Sequence, residues 1–241
     1  TQGVSSAASD VYKRQNISNP LKWDAEHPHL YTLKVSLQKE GKVQTAFSRS
    51  VGFREVEISG DRMLVNGKQV KLRGACRHDI HPKLGRTTSA ELDSLDVVLF
   101  KEANMNFVRT SHYPPTERFL QYCDRYGIYV ESESAVCFVD THRQKNYAPG
   151  RTQNDTAYTH RYLGQCQEMV KTFRSHPSIL FWSVGNECMY GTNFQLCYDW
   201  VKKTDRTRPV IFSYPGTVPA DKKVYDLSLI HISEPTRQAE I

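Results

Sequence analysis

The stretch SILFWSVGNECMYG, residues 178–191, decides the fold of this 241-residue chain. The run Ser178–Val184 is mostly apolar, which favours a strand that is buried on both faces, as in a parallel sheet. This run is followed by an amide and an acid, Asn186 and Glu187. Because active sites of parallel α/β barrels lie at the carboxyl ends of their strands, the segment predicts a buried strand that delivers a candidate catalytic acid.

Further strands are predicted on either side of this one. Short apolar segments bounded by turn residues place them at Val70–Ala75, Asn106–Thr110, Ile128–Val130 and Pro209–Ser213. Helices are predicted in the intervals: one with a capping box at Thr88 and Glu91, one from Pro114-Pro115 to Gly127, one over Asp155–Arg174, and one over Phe194–Lys203.

Alternating strands and helices indicate an α/β fold with a parallel sheet. The chain contains no GxGxxG motif, which is the phosphate-binding signature of the doubly wound alternative. We therefore predict the N-terminal part of a (β/α)8 TIM barrel, about five βα units.

The segment before the barrel has the period of two that is typical of antiparallel strands. Apolar residues alternate from His29 to Ile58, with a turn at Lys39–Lys42, and predict the last strands of an immunoglobulin-like β-sandwich. In MLVNGKQVKLRG, the Asn66-Gly67 pair predicts a tight hairpin turn.

The two ends of the chain differ from the rest. DVYKRQ (Asp10–Gln15) and LSLIHI (Leu227–Ile232) can be encoded by DNA strands that are reverse complements of each other. Unrelated protein segments have no physical reason for such a relation, and both ends resemble translated sequencing adapters. We therefore expect non-native segments over 1–15 and 227–241, the end of the sandwich over 16–59, and the first part of the barrel over 60–226.

Composition argues against several classes of function. The net charge is +6, but Lys and Arg are scattered and form no basic stripe among aromatic residues, so nucleic-acid binding is not expected. No apolar run reaches the ~18 residues of a membrane-spanning helix, so no membrane partner is expected. The six cysteines have no CxxC pair and no metal-ligand spacing, which predicts free, buried thiols.

Polar and titratable residues follow the predicted strands one after another. A single such residue is usually structural, but sets at successive strand ends indicate a site. In chain order they are Arg77, His78 and Asp79; Arg109, Ser111, His112 and Tyr113; Glu131 and Glu133; Asn186 and Glu187; and Tyr214.

The motifs RGACRHDIHP, VRTSHYPP, CDRYGIYV and HPSILFWSVGNE, taken in this order, resemble glycoside hydrolase family 2, the β-galactosidase and β-glucuronidase family. WDAEHPHLYTLKV and VGFREVEI resemble the end of the sandwich domain that precedes the barrel in that family. The resemblance covers Asn16–Asp226 and implies retaining hydrolysis by two glutamates, one of which protonates the leaving oxygen while the other attacks the anomeric carbon.

The resemblance assigns a role to each candidate residue. Glu187 matches the general acid/base, and Asn186 would donate a hydrogen bond to the sugar 2-hydroxyl. The remaining substrate-binding candidates are His78, His112, Arg109 and Glu133. For the histidines the alternative is a structural role, and for Arg109 it is the bracing of neighbouring carboxylates.

The attacking glutamate of the family lies at the end of the seventh barrel strand. The only glutamates after Glu187 are Glu234 and Glu240, both in the adapter-like segment. We therefore expect this chain to lack the nucleophile and to be inactive by itself.

The resemblance implies a carbohydrate with a terminal β-linked sugar as substrate, most directly a β-galactoside, and requires no cofactor. Some family members bind Mg²⁺ through a Glu-Thr-His triplet, to which Asp140-Thr141-His142 is faintly similar, but we predict a solvated loop there. A β-glucuronidase and a non-catalytic carbohydrate-binding relative remain the alternatives. The sequence leaves open whether the full-length protein is a homo-oligomer and whether it is cytoplasmic, periplasmic or secreted.

Overall fold

The N-terminal elements are two small antiparallel units. The structure is a computed structural model, and it describes residues 15–139, 152–213 and 218–227. Strands β1 (Tyr31–Lys39) and β2 (Lys42–Val51) form a hairpin, and β3 (Val56–Ser59), β4 (Arg62–Val65) and β5 (Lys68–Gln69) form a three-stranded sheet. The predicted turn at Asn66-Gly67 is present, and both residues have the positive φ, 54° and 77°, that a tight hairpin turn needs.

A parallel sheet of five strands follows. Its strands are β6 (Gly74–Arg77), β7 (Phe107–Thr110), β8 (Tyr129–Glu133), β9 (Ile179–Asn186) and β10 (Val210–Ser213). They lie side by side in chain order. A doubly wound sheet reverses its order at a switch point, whereas a barrel wall does not. The prediction of a partial barrel is confirmed.

Within the described residues, four α-helices connect these strands: α1 (Ala90–Glu102), α2 (Glu117–Tyr126), α3 (Thr159–Phe173) and α4 (Thr192–Thr204). Two predicted bounds are wrong. Ser89, and not Thr88, caps α1, because its hydroxyl accepts the N–H of Leu92. Strand β6 begins at Gly74 and not at Val70, which packs instead against a second apolar cluster. None of the helices in the described ranges is long and apolar enough to span a membrane.

Alternating residues of the strands belong to two separate cores. Val108, Val130, Trp182 and Val184 pack with the helices. Phe107, Tyr129, Phe181 and Ile211 pack with Trp23 and Ala25 from the N-terminal segment. Successive side chains of a strand point to opposite faces, so the second cluster marks the interior of the barrel wall.

A buried hydrogen-bond network explains the His176-Pro177-Ser178 motif before β9. The Asp124 carboxylate pairs with His176 Nδ1 at 2.6 Å and accepts the Ser178 N–H at 3.0 Å. The Asp124 carbonyl accepts the indole N–H of Trp23 at 2.7 Å. The network therefore ties the entry to β9 to both α2 and the N-terminal segment.

Two glycines provide a matched test of this packing. Gly127, the left-handed C-cap of α2 with φ 74°, lies so close to the N-terminal segment that an added Cβ would be 2.3 Å from the Ala25 oxygen. Gly164 lies inside α3, with nothing within 4 Å of an added Cβ. We predict that Gly127→Ala lowers the free energy of unfolding by about 2 kcal/mol or more. Gly164→Ala is expected to raise it by about 1 kcal/mol.

Urea unfolding of both variants measures these changes. Equal effects of the two substitutions would contradict the close approach of Gly127 to Ala25.

Candidate active site

The parallel register places one guanidinium at the centre of the strand-end surface. Arg109 on β7 is opposite Cys76 on β6 and Glu131 on β8. Its Nη2 donates to Glu133 Oε2 at 2.7 Å, to Asn186 Oδ1 at 2.6 Å and to Ser213 Oγ at 3.1 Å. One side chain thus connects β7 with β8, β9 and β10.

Glu133 is fully buried, and its carboxylate is saturated with partners. Besides Arg109, it accepts a hydrogen bond from Ser183 Oγ at 2.9 Å and pairs with His112 Nδ1 at 2.6 Å. Burial lowers the pKa of Arg109, but the carboxylates of Glu133 and Glu131 more than offset this and raise it above its usual value. Arg109 is therefore a permanent cation, and Glu133 lies beneath the surface that a ligand could reach.

The side-chain amide of Asn186 has one defined orientation. Its oxygen accepts from Arg109 and its nitrogen donates to Cys137 Sγ at 3.3 Å. Segment 136–139 runs beside β9, with the Asn186 N–H donating to the Val136 oxygen and the Phe138 N–H to the Asn186 oxygen, both at 3.0 Å. Hydrogen bonds thus hold Asn186 through its backbone and through both the oxygen and the nitrogen of its side-chain amide.

Glu187 follows at once in an uncommon backbone conformation. Its φ is 48°, in the left-handed region that few residues other than glycine adopt, and its N–H donates to the Ser213 oxygen at 2.9 Å. The residue is half-buried. Burial and the carboxylates of Glu133 and Glu187 raise the pKa of the neighbouring Cys137 thiol. Backbone outliers of this kind cluster at functional sites, which makes Glu187 a candidate on geometric grounds as well.

Two histidines lie on the accessible side of this network. The rings of His78 and His112 meet edge to face, with centroids 5.4 Å apart, and His78 also contacts the ring of Tyr113. Burial, His112 and Arg86 together lower the pKa of His78, which favours a neutral imidazole that can both donate and accept hydrogen bonds. The peptide bond between Ser111 and His112 is cis.

Some strand-end residues lie outside this cluster. Arg77 turns towards α1, where it binds Asp96 at 2.7 Å and Asp93 at 3.2 Å, and it also pairs with Asp79. These contacts make Arg77 and Asp79 structural. Tyr214 and the triplet Asp140-Thr141-His142 lie outside the described residues.

Glu131 is a strand-end residue whose burial beside Arg109 the sequence did not indicate. It is 1% exposed, and its Oε1 lies 3.3 Å from Arg109 Nε. Burial raises the pKa of Glu131 to about 8, with a further contribution from Glu133 that Arg109 opposes. In the pattern Glu131-Ser132-Glu133-Ser134 both faces of the strand are polar, so periodicity gave no sign of burial.

Within the described ranges, no group of three or more His, Cys, Asp or Glu side chains could hold a metal ion. A cleft of about 470 Å³ lies between β2 and α2, and its lining includes Phe47, Arg49, Glu117 and His176. None of the strand-end residues lines this cleft.

Comparison with known families agrees with the fold. Residues 56–234 match the profile "Glycosyl hydrolases family 2, TIM barrel domain", and residues 1–54 match "Glycosyl hydrolases family 2". The chain belongs to glycoside hydrolase family 2. Strands β3 to β10 lie in the range that matches the TIM-barrel profile, and β1 and β2 lie in the range that matches the other profile.

Curated relatives of this chain include β-galactosidases. The β-galactosidase of Pectobacterium atrosepticum is 39% identical over 204 residues, which cover 84% of this chain and 19% of that protein. That of Vibrio vulnificus is 39% identical over 208 residues, covering 86% of this chain and 20% of that protein. The chain thus spans about a fifth of the length of these relatives.

Solved structures give the same architecture. The β-D-glucuronidase of Dictyoglomus thermophilum is 28% identical with a TM-score of 0.73, covering 81% of this chain and 35% of that one. A β-glycosidase from Bacteroides vulgatus is 28% identical with a TM-score of 0.70, covering 83% of this chain and 26% of that one.

The Arg109–Glu133 pair leads to a prediction about stability. Arg109→Met leaves the buried Glu133 carboxylate without its cation, which we expect to cost about 3–5 kcal/mol. The double variant Arg109→Met/Glu133→Leu removes both charges and should cost less than the sum of the two single changes. Urea unfolding of the three variants measures this coupling, and additive costs would contradict it.

Glu131 leads to a prediction about pH. Its folded-state pKa is raised from 4.5 to about 8, so between these values the unfolded chain releases a proton that the folded chain keeps. The free energy of unfolding therefore falls as pH rises through this window, by on the order of 3 kcal/mol at neutral pH. In Glu131→Gln the side chain carries no titrating proton. The variant should therefore have a higher melting temperature than the wild type, and the difference should be larger just below pH 8 than near pH 4.5.

Melting curves across this pH range test the prediction. The exposed Glu168→Gln on α3 is the matched control and should have little effect at any pH. A gain from Glu131→Gln that does not grow with pH would contradict the raised pKa.

Proposed function

We propose that this chain is the acid/base-bearing part of a retaining exo-glycosidase that hydrolyses terminal β-D-galactosides. The observation that carries the proposal is the Asn186-Glu187 pair at the end of β9, where Arg109 and Cys137 hold the amide and Glu187 follows in a left-handed conformation. Membership of family 2 supports the two-glutamate chemistry, and the β-galactosidases at 39% identity support the galactoside.

In this proposal Glu187 is the proton donor. As the bond between the anomeric carbon and the leaving oxygen breaks, the Glu187 carboxylic acid transfers its proton to that oxygen, and the resulting carboxylate later takes a proton from the attacking water. Asn186 donates to the sugar 2-hydroxyl, while His78 and His112 bind other hydroxyls. Arg109 and Glu133 position this surface from beneath.

The second carboxylate of the mechanism has no candidate among the described strand-end residues. Glu131 and Glu133 are buried against Arg109, and Asp79 pairs with Arg77, so each of the three already has a structural partner. A retaining mechanism needs its nucleophile about 5 Å from the acid. We therefore propose that the nucleophile lies outside the described residues and that the 241-residue chain alone is inactive.

The acid role of Glu187 predicts a dependence on the leaving group. In the full-length protein that carries this sequence, Glu187→Gln should slow hydrolysis of alkyl β-galactosides by about 10²–10⁴-fold. Galactosides of acidic phenols should be much less affected, because a phenolate departs without a proton. The measurement is kcat/KM for both substrate types, with Glu168→Gln as control.

Equal losses on both substrates would contradict general acid catalysis by Glu187. Turnover by the 241-residue chain alone that disappears in Glu187→Gln would contradict the external nucleophile.

A β-glucuronidase is the second candidate, supported by the 28% identical structure from Dictyoglomus thermophilum. The kcat/KM values for aryl β-galactoside and aryl β-glucuronide distinguish the two. We expect the galactoside to be preferred, and a preference for the glucuronide would transfer the proposal to that substrate. Binding of either sugar by the full-length protein without hydrolysis would instead favour a non-catalytic carbohydrate-binding relative.

A further inference from the structure

Glu131 is an acid in a place where barrels usually have apolar side chains. Its strand neighbour on the same face is Tyr129, and the interior cluster next to it contains Phe107 and Phe181. The interiors of such barrels are filled mainly by branched apolar residues. Glu131 Oε1 is buried and has no hydrogen-bond partner, although Arg109 Nε is only 3.3 Å away. A buried carboxyl in this state costs stability, so packing alone does not account for it.

Two carboxyl groups compete for one guanidinium. Arg109 Nε lies 3.1 Å from Glu133 Oε2 and 3.3 Å from Glu131 Oε1. Glu133 and Glu131 are two residues apart on β8 and therefore point to the same side of the sheet. If both were ionised, two buried anions would share one cation and repel each other. A proton on one of them removes this repulsion.

Glu131 is the member of the pair that holds this proton. Glu133 has Arg109, His112 and Ser183 as partners, all of which stabilise an anion. Among the described residues, the Glu131 side chain has Arg109 as its one ion-pair partner, and it follows Tyr129 on the face of β8 that forms the interior apolar cluster. The raised pKa of Glu131, about 8, agrees with this geometric assignment.

We propose that Glu131 is a positioning residue of the site: its neutral form leaves Glu133 as the anion that holds Arg109 against Asn186, and its ionisation draws the guanidinium away from Asn186. The consequence for catalysis rests on the proposed function, because Asn186 is there the contact to the sugar. The coupling between Glu131 and Asn186 does not rest on it.

Other titratable groups also face this cluster. Cys76 approaches Arg109 from β6, and His112 contacts Glu133 from the segment after β7. Strand β9 contributes Ser183 and β10 contributes Ser213, neither of which changes charge. Cys137 accepts a hydrogen bond from the Asn186 amide nitrogen, His78 faces Glu133 and Arg109, and Glu187 follows β9. A pH effect on Asn186 must therefore be traced to Glu131 by substitution.

The test uses nuclear magnetic resonance of the ¹⁵N-labelled chain. The side-chain amide signals of Asn186 and the Nε–H signal of Arg109 are followed across a pH interval that brackets 8. We expect a titration step with a midpoint near pH 8, set by Glu131. Glu131→Gln, which is neutral at every pH, should abolish the step and keep both signals at their low-pH positions.

Control variants separate the titration of Glu131 from that of other groups. Cys76→Ser and the exposed Glu168→Gln should both retain the step, and Glu131→Met, a second neutral variant, should lose it. The proposal is overturned if the wild-type signals show no step near pH 8. It is also overturned if the step survives in Glu131→Gln or disappears in Cys76→Ser.

A measurement of galactoside affinity separates the positioning role of Glu131 from the proposed function. In the full-length protein, affinity for a competitive galactoside should weaken as pH rises through about 8 and should stay constant in Glu131→Gln. If no galactoside binds at any pH, the proposed function fails, while the resonance experiment still decides the role of Glu131. If galactoside affinity weakens equally in wild type and variant, the positioning role is wrong although the function stands.

Discussion

The site depends on a single half-buried cation, the guanidinium of Arg109. Arg109 makes ionic or hydrogen-bond contacts with Glu131, Glu133, Asn186 and Ser213, which belong to three other strands. A guanidinium can do this because its donors lie in one rigid plane and it keeps its charge when buried. Lysine, with a single flexible ammonium group, could not hold the same set in one geometry. The arrangement of the strand ends is therefore fixed by one side chain.

Much of the fold was predictable because it depends on local patterns. Strands β7 to β10 were predicted within a few residues, since each begins with a short apolar run that follows turn residues or proline. The Asn66-Gly67 turn requires only the two positive φ values that these residues tolerate. The error at β6 has a non-local cause. Val70 is apolar enough for a strand, but it packs against the cluster around Trp23, which lies far away in the chain.

The residues of the candidate site could be named from the sequence, but the contacts between them could not. Strand ends pointed to Arg109, His112, Glu133 and Glu187, and the family motif added their expected roles. The contact between Arg109 and Asn186 joins residues 77 positions apart and depends on the register of the parallel strands. The burial of Glu131 depends on which face of β8 meets the barrel interior, and a strand that is polar on both faces does not indicate this. The role of His176 as partner of Asp124 likewise needed the tertiary structure.

In the proposed function, Glu187 faces a sugar bound at the strand ends. The most direct test is an experimental structure of the chain with a galactose-configured amine inhibitor. We expect the amine to lie within hydrogen-bond distance of the Glu187 carboxyl group, with ligand hydroxyls on Asn186 and His112. A ligand bound in the cleft between β2 and α2, or one that leaves Glu187 without contact, would contradict it.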